Sequence, residues 1–314
     1  MSVLAIISFT LAGLILLALA ALLIFTYLRA WSLTHPPRRP LTRTPADLGV
    51  AFEEVSFPTE DGITLSGWYI PARNGRTLVA CHGIYDSREQ FLEPAVALAK
   101  HGYGFLIYDA RAHGKSGGTL SSFGYHEIKD VTGAVRYLQA RPDVDANQLG
   151  IIGNSLGGIT AIRAAARLPE LRVIVSESAF ADFARDISSA FTRFTHLPAF
   201  PFASLVIFWG ERLGKINLDD IRPARDISAL SPRPIFLISD LADDIVEEPL
   251  DGELLYANAG EPKELWQIPA CRHVQAWAMH PEEYERRVVA FLDKSFAALA
   301  PAPAPAQTER ARER

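Results

Sequence analysis

The sequence predicts an α/β fold built on a mostly parallel sheet of eight strands with helices on both faces. Three observations support this prediction. Short apolar runs, rich in β-branched residues, alternate with helix-length stretches along most of the chain. The first two runs flank a Glu-Asp-Gly turn at 60–62, which is typical of a β-hairpin. The third observation is a Gly-x-Ser-x-Gly motif that lies between an apolar run and a helical stretch.

An apolar stretch precedes this predicted sheet. Residues 3–28 include no charged residue, which is long enough for a helix to cross the roughly 30 Å hydrocarbon core of a membrane. A signal peptide usually starts with a basic region, which is missing here, so we predict a retained transmembrane anchor over residues 1–30. Basic residues follow the stretch but do not precede it: Arg29, Arg38, Arg39 and Arg43. The positive-inside rule therefore predicts a single-pass membrane protein whose folded domain is cytoplasmic.

Proline-rich segments border the predicted domain on both sides. Residues 31–48 are rich in Pro and Arg and are expected to form an extended tether. Residues 300–314, where Pro and Ala give way to charged residues, are expected to be disordered. Residues 49–299 fall within the size range of one α/β domain. The formal net charge of −5 predicts no nucleic-acid partner, and two cysteines are too few for a disulfide framework.

The predicted strands place the polar motifs of the domain at one edge of the sheet. Strands are expected at 51–57, 63–69, 76–81, 104–108, 149–152, 173–177, 234–239 and 264–268. Helices are expected at 88–101, 124–141 and 281–299, and directly after the Gly-x-Ser-x-Gly motif. In open parallel sheets ligands bind beyond the carboxyl ends of the strands, and the motifs described next all follow a strand.

The Gly-Asn-Ser-Leu-Gly motif at 153–157 carries the strongest chemical signal. A strand, a tight turn bearing a serine and a helix together form a nucleophile elbow. A β-carbon at Gly153 or Gly157 would clash with the close-packed elements around the turn. We therefore predict Ser155 as a nucleophile; the alternative is an incidental serine in a glycine-rich turn.

A serine nucleophile needs a base, and that base needs a carboxylate to fix its tautomer. His273 lies in the loop after the last predicted strand, and Asp240, Asp243 and Asp244 follow the strand before it. The order Ser, Asp, His, each at a strand end, is the one that this architecture uses. We predict His273 as the base and Asp243 as the orienting acid, with Asp244 and Asp240 as alternatives.

Backbone N–H groups near Ser155 could hold the oxyanion of a tetrahedral intermediate. Gly83 lets the chain turn so that the N–H of Ile84 points inward, and Leu156, the residue after the serine, supplies a second N–H. Two further histidines lie near strand ends, His82 and His113. We predict structural roles for both, because each lies in a tight turn that a polar scaffold would stabilise.

A long connection follows the sixth predicted strand and is expected to form a helical cap insertion at about 186–225. Its aromatic residues are Phe191, Phe194, Phe200, Phe202, Phe208 and Trp209. They could pack the insertion onto the domain, line an acyl-chain pocket or touch the membrane. Cys81 and Cys271 are expected to be small buried side chains.

The chain resembles the α/β-hydrolase superfamily, in particular the small esterases, lysophospholipases and depalmitoylases that often carry an amino-terminal membrane anchor. The resemblance covers about residues 50–298. The matching motifs are His-Gly at 82–83, Asp-x-Arg-x-His-Gly-x-Ser at 109–116, Gly-Asn-Ser-Leu-Gly-Gly at 153–158, the loop of Asp243, His273, and the helix that begins at 281. The resemblance implies the same roles for Ser155, Asp243, His273, Ile84 and Leu156. Two positions depart from it, since such relatives usually have glycine in place of Asp240 and proline in place of Glu247.

These observations predict a membrane-anchored serine hydrolase of the α/β-hydrolase fold. It would cleave a carboxylic ester or thioester of a small-molecule or lipidic substrate through an acyl-enzyme, with no metal and no organic cofactor. Two alternatives stay open. One is a peptidase or acyltransferase with the same triad, and the other is a non-catalytic binding protein that kept the fold.

Overall fold

The computed structural model describes residues 2–247 and 249–299, so the predicted tail at 300–314 lies outside the described residues. The strands in this part of the chain are β1 Glu53–Pro58, β2 Thr64–Ile70, β3 Thr77–Cys81, β4 Gly104–Tyr108, β5 Leu149–Asn154, β6 Leu171–Glu177, β7 Ile235–Asp240 and β8 Lys263–Ile268. The α-helices are α1 Val3–Thr34, α2 Leu92–Lys100, α3 Glu127–Gln139, α4 Leu156–Ala165, α5 Phe183–Thr195, α6 Ser204–Gly214, α7 Pro223–Asp226, α8 Leu250–Asn258, α9 Ala276–Met279 and α10 Pro281–Ala298.

The eight strands form a single mixed sheet in the order β1-β2-β4-β3-β5-β6-β7-β8. Strands β3 to β8 are parallel, while β2 pairs antiparallel with both β1 and β4. The predicted mostly parallel, eight-stranded sheet is therefore confirmed, and the predicted hairpin accounts for its antiparallel part. The sheet brings the carboxyl ends of β3, β5, β6, β7 and β8 side by side, which is where the candidate site lies.

Helices cover both faces of the sheet because the central strands are apolar on both sides. On one face, strand residues such as Ile151 pack in a core with side chains of α3 and α4. On the other face, residues such as Ile152 pack with side chains of α2 and α10. All six residues of β5 are buried, so the strand that leads to Ser155 is fixed from both sides.

The cap consists of α5, an irregular turn at Ala199–Ala203, and α6. These helices lie in the segment predicted as a cap, and α5 begins three residues before the predicted 186. Asp182 caps α5 by accepting a hydrogen bond from the N–H of Arg185 at 3.2 Å, which starts the helix at Phe183. The guanidinium of Arg185 also forms ion pairs with Asp186 and Asp251, so it ties the base of the cap to α8.

Helix α1 is long and apolar enough to cross a membrane, and no residue of its most apolar stretch is buried. It continues to Thr34, four residues past the predicted end of the anchor, and it ends before Pro36 and Pro37, which cannot extend a helix. Its last turns pack against α6, and they bury Thr26, Ala30 and Thr34 on one face.

The segment predicted as an extended tether, 31–48, is held against the domain instead of running free. Its first four residues belong to α1, and Pro45 is buried. The guanidinium of Arg38 donates hydrogen bonds to the carbonyl oxygens of His113, Gly114, Ser116 and Gly118. Sequence alone could not show this docking, because Arg38 lies far along the chain from the loop that it binds.

Candidate active site

Ser155 lies at the sharp turn between β5 and α4, with φ 54° and ψ −118°. Few side-chain-bearing residues adopt a positive φ, and here it aims the side chain away from both elements. The turn needs glycine on either side. A β-carbon on Gly153 would lie 2.1 Å from the carbonyl oxygen of Gly157, and one on Gly157 would lie 1.8 Å from that of Cys81. The N–H of Ser155 donates to the carbonyl of Glu177 at 2.9 Å and ties the turn to β6.

The structure brings Ser155, His273 and Asp243 together from three separate loops. His273 Nε2 lies 2.9 Å from Ser155 Oγ, and His273 Nδ1 lies 2.7 Å from Asp243 Oδ2. In the tautomer that this network favours, Nδ1–H donates to the carboxylate and Nε2 accepts the serine proton. The Asp243 side chain is fully buried, whereas that of His273 is 19% exposed and faces the cavity.

The other oxygen of Asp243 is also occupied, because Oδ1 accepts the N–H groups of Ile245 at 2.7 Å and Val246 at 2.9 Å. These two bonds fix the carboxylate so that its remaining oxygen faces the imidazole. The two alternative acids lie elsewhere. Asp244 is exposed and forms an ion pair with Arg272. Asp240 is buried below the site and accepts the Ser178 hydroxyl at 2.9 Å.

Asp240 and Glu177 form a buried pair of carboxyl groups beneath the loop that carries His273. Burial raises the pKa of Glu177 well above its usual value, and the neighbouring Asp240 raises it further. Burial likewise raises the pKa of Asp240. Like charges buried side by side disfavour double ionisation, so we expect the pair to keep a proton to a higher pH than separate carboxyl groups would.

This pair holds the backbone that follows His273. Val274 has a φ of 55°, which is unusual for a β-branched residue. Three successive N–H groups point down from this loop: that of Val274 to Ser178 Oγ at 3.3 Å, that of Gln275 to Asp240 Oδ2 at 3.3 Å, and that of Ala276 to Glu177 Oε1 at 3.2 Å. The strained loop is therefore held by buried acceptors directly beneath the imidazole.

Ile84 and Leu156, the predicted oxyanion donors, both line the cavity that contains Ser155. The N–H of Leu156 begins α4, and the first N–H groups of a helix have no acceptor within that helix. Gly83, just before Ile84, approaches the site so closely that a β-carbon there would lie 3.4 Å from Ser155 Cβ.

His82 and His113 are buried and hydrogen-bond away from the candidate site. His82 Nε2 accepts the N–H of Ala110 at 3.0 Å, while its Nδ1 lies 2.7 Å from the carbonyl oxygen of Gly83. His113 Nδ1 lies 2.8 Å from the carbonyl oxygen of Arg111. Burial lowers the pKa of both, to about 4 for His113, which keeps them neutral near pH 7. The roles predicted for them are structural, and these contacts agree.

The Asp109 loop beside these histidines is held by a buried ion pair. Asp109 Oδ2 lies 2.9 Å from Arg88 Nη2, and both side chains are fully buried. Burial opposes ionisation of Asp109, but the charge of Arg88 outweighs it, so the pKa of the carboxyl is lowered. This pair connects the start of the Arg88–Phe91 turn to the end of β4 and stiffens the wall of the site.

A cavity of about 780 Å³ opens above Ser155. Its walls are mainly aliphatic and aromatic side chains of the cap, such as Phe183, Phe191 and Val206. Polar side chains also line it, among them Asp86 and Gln90, and Arg29 and Ser32 of α1. Among the described residues, no group of three or more His, Cys, Asp and Glu side chains is arranged to hold a metal ion, and both cysteines are free and buried.

Comparison with known proteins assigns the chain to a family. The model of the X-Pro dipeptidyl-peptidase (S15) family matches residues 41–212, which is more than half of the chain. The chain belongs to this family. A solved esterase of Pyrococcus furiosus, Pf2001, superposes with a TM-score of 0.71 at 30% identity, covering 84% of this chain and 98% of the esterase.

Curated relatives agree with the structural match. The protein YfhR of Escherichia coli K12 is 27% identical over 249 residues, which cover 76% of this chain and 80% of YfhR. The α/β-hydrolase domain-containing protein WAV2 of Arabidopsis thaliana is 26% identical over 265 residues, covering 80% of this chain and 82% of WAV2. The protein is thus a hydrolase of the α/β-hydrolase superfamily, as the sequence motifs predict.

Sequence reasoning missed three side chains that shape the site of this hydrolase. Gln90 accepts the N–H of Gly83 at 2.7 Å and donates to Asp86 at 3.2 Å, so it fixes the loop of Ile84. Burial raises the pKa of Asp86. Glu177 supports the His273 loop, and its only sequence signal is a charged residue at the end of a buried apolar run.

Proposed function

We propose that the protein is a membrane-anchored serine hydrolase that cleaves a carboxylic ester or thioester through an acyl-enzyme. The observation that carries this proposal is the hydrogen-bonded chain from Ser155 through His273 to Asp243. A serine within 2.9 Å of a histidine whose second nitrogen faces a buried carboxylate has the arrangement of an activated nucleophile. The esterase from Pyrococcus furiosus adds support at the level of reaction type.

In the acylation step, Ser155 Oγ attacks the substrate carbonyl carbon while its proton passes to His273 Nε2. Asp243 stabilises the imidazolium that forms. The N–H groups of Ile84 and Leu156 donate to the oxyanion of the tetrahedral intermediate. As the intermediate collapses, the carbon–oxygen or carbon–sulfur bond breaks, and the leaving alcohol or thiol takes the proton from His273.

Deacylation repeats these steps with water as the nucleophile. His273 takes a proton from the water, whose oxygen attacks the acyl carbon. The ester bond to Ser155 then breaks, the serine oxygen regains the proton, and the carboxylic acid leaves. This sequence needs neither a metal nor an organic cofactor.

The cavity supports an acylated or lipidic substrate. Ser155 lies in its wall beside Asp86 and Gln90, and apolar side chains of the cap form much of the rest. Such a wall binds an acyl chain through burial of apolar surface, which favours binding by roughly 0.8 kcal/mol per buried CH₂ group. The ester and its leaving group would lie beside Ser155, near Asp86 and Gln90.

Helix α1 supports attachment to a membrane with the catalytic domain on the cytoplasmic side. The helix is long and apolar enough to span the bilayer. The basic residues Arg29, Arg38, Arg39 and Arg43 follow it. Removal of α1 as a signal sequence is the alternative, and fractionation of cells that express the full chain with a carboxyl-terminal tag separates the two.

A peptidase activity is the second candidate, and the family match favours it. A dipeptidyl-peptidase must hold the ammonium group at the amino terminus of its substrate, and Asp86 supplies an acidic side chain in the cavity wall. Burial raises the pKa of this carboxyl. A substrate ammonium group beside it would favour the ionised form, because an opposite charge nearby lowers the pKa of a carboxyl.

Fluorophosphonate labelling tests whether the serine is activated. We expect the wild type to label, and we expect Ser155→Ala and His273→Ala not to label. The matched control is Ser228→Ala, which removes an exposed serine outside the cavity and should label like the wild type. Folded wild-type protein that fails to label would contradict the proposal and favour the non-catalytic binding protein.

A substrate panel then separates the reaction classes. Soluble acetyl and butyryl esters, a matching thioester and an X-Pro anilide are compared at equal enzyme concentration. Turnover of the ester and thioester with little cleavage of the anilide would support the proposed function. Preferential cleavage of the anilide would indicate that the triad acts as a peptidase. Acyl transfer to an added alcohol in preference to water would identify an acyltransferase.

A further inference from the structure

Helix α1 contributes side chains to the wall of the active-site cavity as well as packing on the cap. Arg29, Ser32 and Leu33 line the same cavity as Ser155 and His273. This end of α1 is fixed in place by α6, where the Tyr27 and Trp209 rings meet edge to face with centroids 5.7 Å apart. The site is therefore incomplete without the helix that the sequence assigns to the membrane.

A second, wholly apolar groove runs along α1 below this cavity. It measures about 520 Å³ and is lined by Ile15, Ala18, Leu19, Ala21, Leu22 and Phe25 of α1 and by Leu197 and Phe202 of the cap. Phe25 is one helical turn from Arg29, and Phe202 adjoins Ala203, which lines the cavity. The Arg29 guanidinium, which lines the cavity, lies over the Phe25 ring at 5.4 Å from its centroid, so a residue of the cavity contacts a residue of the groove here.

The position of the first charged residue sets the depth of this groove in a bilayer. Arg29 is the first charged residue after the apolar run, so it marks the boundary between hydrocarbon and headgroups. At 1.5 Å per residue, Phe25 lies about 6 Å and Ile15 about 21 Å from Arg29 along the helix axis. The groove therefore lies within the hydrocarbon layer, and Leu33 lies about 6 Å on the headgroup side.

Immersion of the cap also accounts for its exposed aromatic side chains. Phe200 is 80% exposed and Phe194 is 58% exposed, although both are large and apolar. Phe200 lies in the turn next to Phe202, which contacts Phe25 of α1 with ring centroids 6.5 Å apart. Exposed apolar patches of this kind are typical of membrane contact.

We propose that the acyl chain of a bilayer lipid ester occupies the groove between α1 and the cap, and that its ester group reaches Ser155 past Leu33. This inference rests on the proposed function and names its substrate class. An acyl chain fits the groove because every side chain that lines it is apolar. The ester fits the cavity because ester groups of membrane lipids lie at the headgroup boundary, the level of Arg29 and Leu33.

The test uses the full chain in phosphatidylcholine vesicles that carry a fluorogenic long-chain lipid ester, with a soluble acetyl ester as the second substrate. Ala18→Trp places an indole in the groove. Ala20→Trp is the matched control, because Ala20 is exposed and projects from the opposite side of α1.

We expect Ala18→Trp to lower the ratio of vesicle-ester to soluble-ester turnover about tenfold, the scale on which an apolar pocket discriminates by size. Ala20→Trp should leave both rates at the wild-type value. Equal ratios for Ala18→Trp and the wild type would overturn the inference. The groove would then be better explained as a contact site for a transmembrane segment of a partner protein. A wild type that turns over neither ester would instead refute the proposed function.

Discussion

Beneath Ser155, the ends of β6 and β7 are held by buried polar side chains, whereas above it α5 and α6 present mainly phenylalanine and aliphatic side chains. In the floor, Glu177, Asp240 and Ser178 are almost fully buried, and each takes part in a hydrogen bond to the His273 loop. In the cap, Arg185 forms ion pairs with Asp186 and Asp251, while Phe194 and Phe200 are exposed.

Because the floor is held by buried hydrogen bonds and the cap by apolar contacts, we expect substitutions in the two regions to have different effects. A directional hydrogen-bond network in a buried floor holds its atoms in one arrangement, and a misplacement of about 1 Å at a reacting group can cost about 10²-fold in rate. An apolar cap contacts its surroundings through non-directional burial and tolerates substrates of different shape. We infer that the floor determines the reaction and that the cap, together with α1, determines the substrate.

The largest expected effect lies in the floor. Asp243→Asn keeps the shape of the side chain but favours the wrong histidine tautomer, so kcat should fall about 10⁴-fold. Asp244→Asn, one residue along the chain, removes an exposed ion-pair partner and should leave kcat near the wild-type value. Steady-state kinetics with a soluble ester measures both, and the reverse pattern would make Asp244 the orienting acid.

Substitutions at two glycines, one next to the floor and one in the cap, test whether the floor tolerates change less well than the cap. Gly157→Ala places a β-carbon 1.8 Å from the backbone carbonyl of Cys81 at the end of β3, next to the floor, and should destabilise the protein by about 3 kcal/mol or more. Gly210→Ala in α6 meets no atom within 4 Å and should be neutral or stabilising by up to about 1 kcal/mol. Thermal unfolding in the same detergent compares the two, and similar melting temperatures would contradict the rigid floor.

The buried acid pair predicts a pH effect of intermediate size. The pKa of Glu177 is raised in the folded protein, so the folded state holds the proton more tightly than the unfolded chain. Stability is therefore lost as pH rises from the ordinary carboxyl pKa of about 4.5 towards the raised value. Glu177→Gln removes this loss while it retains an acceptor for Ala276, so its stability relative to the wild type should increase with pH.

Denaturant unfolding between pH 5 and pH 9 measures this difference. Glu282→Gln, at an exposed position at the start of α10, is the control and should follow the wild-type profile. A Glu177→Gln profile parallel to that of the wild type would show that the pair does not hold a proton.

The smallest expected effect lies in the cap. Phe200→Ser changes a side chain that is 80% exposed, so the melting temperature should not move. Turnover of the vesicle ester should fall a few-fold because apolar surface is lost from the membrane contact, while soluble-ester turnover is unaffected. Met279→Ser, an exposed apolar residue of α9, should change neither rate. An unchanged vesicle rate for Phe200→Ser would argue against immersion of the cap.

The sequence predicts local features well and distant contacts poorly. The strands, the turn at Ser155 and the helix after it follow from short-range patterns of apolar residues and glycine. The geometry also separates Asp243 from its two neighbours, which the sequence left open, because only the fold decides which carboxylate faces His273.

Most of the features that sequence missed join residues far apart in the chain, whereas Gln90 binds Gly83 only seven residues away. Arg38 binds a loop about 75 residues away, and Ala276 donates to Glu177 across 99 residues. The α1 wall of the cavity is also a distant contact, since the packing of α1 on the cap brings Leu33 to the cavity that contains Ser155. No periodicity or short motif encodes such a contact.

The acyl-enzyme itself tests the central claim most directly. The wild type is mixed with a p-nitrophenyl ester, quenched in acid within the first turnovers, digested and analysed by mass spectrometry. We predict that the acyl mass appears on the peptide that contains Ser155, and that it is absent from His273→Ala treated in the same way. Turnover without acylation of Ser155, or an acyl group on another residue that accounts for turnover, would contradict the assignment of Ser155 as the nucleophile.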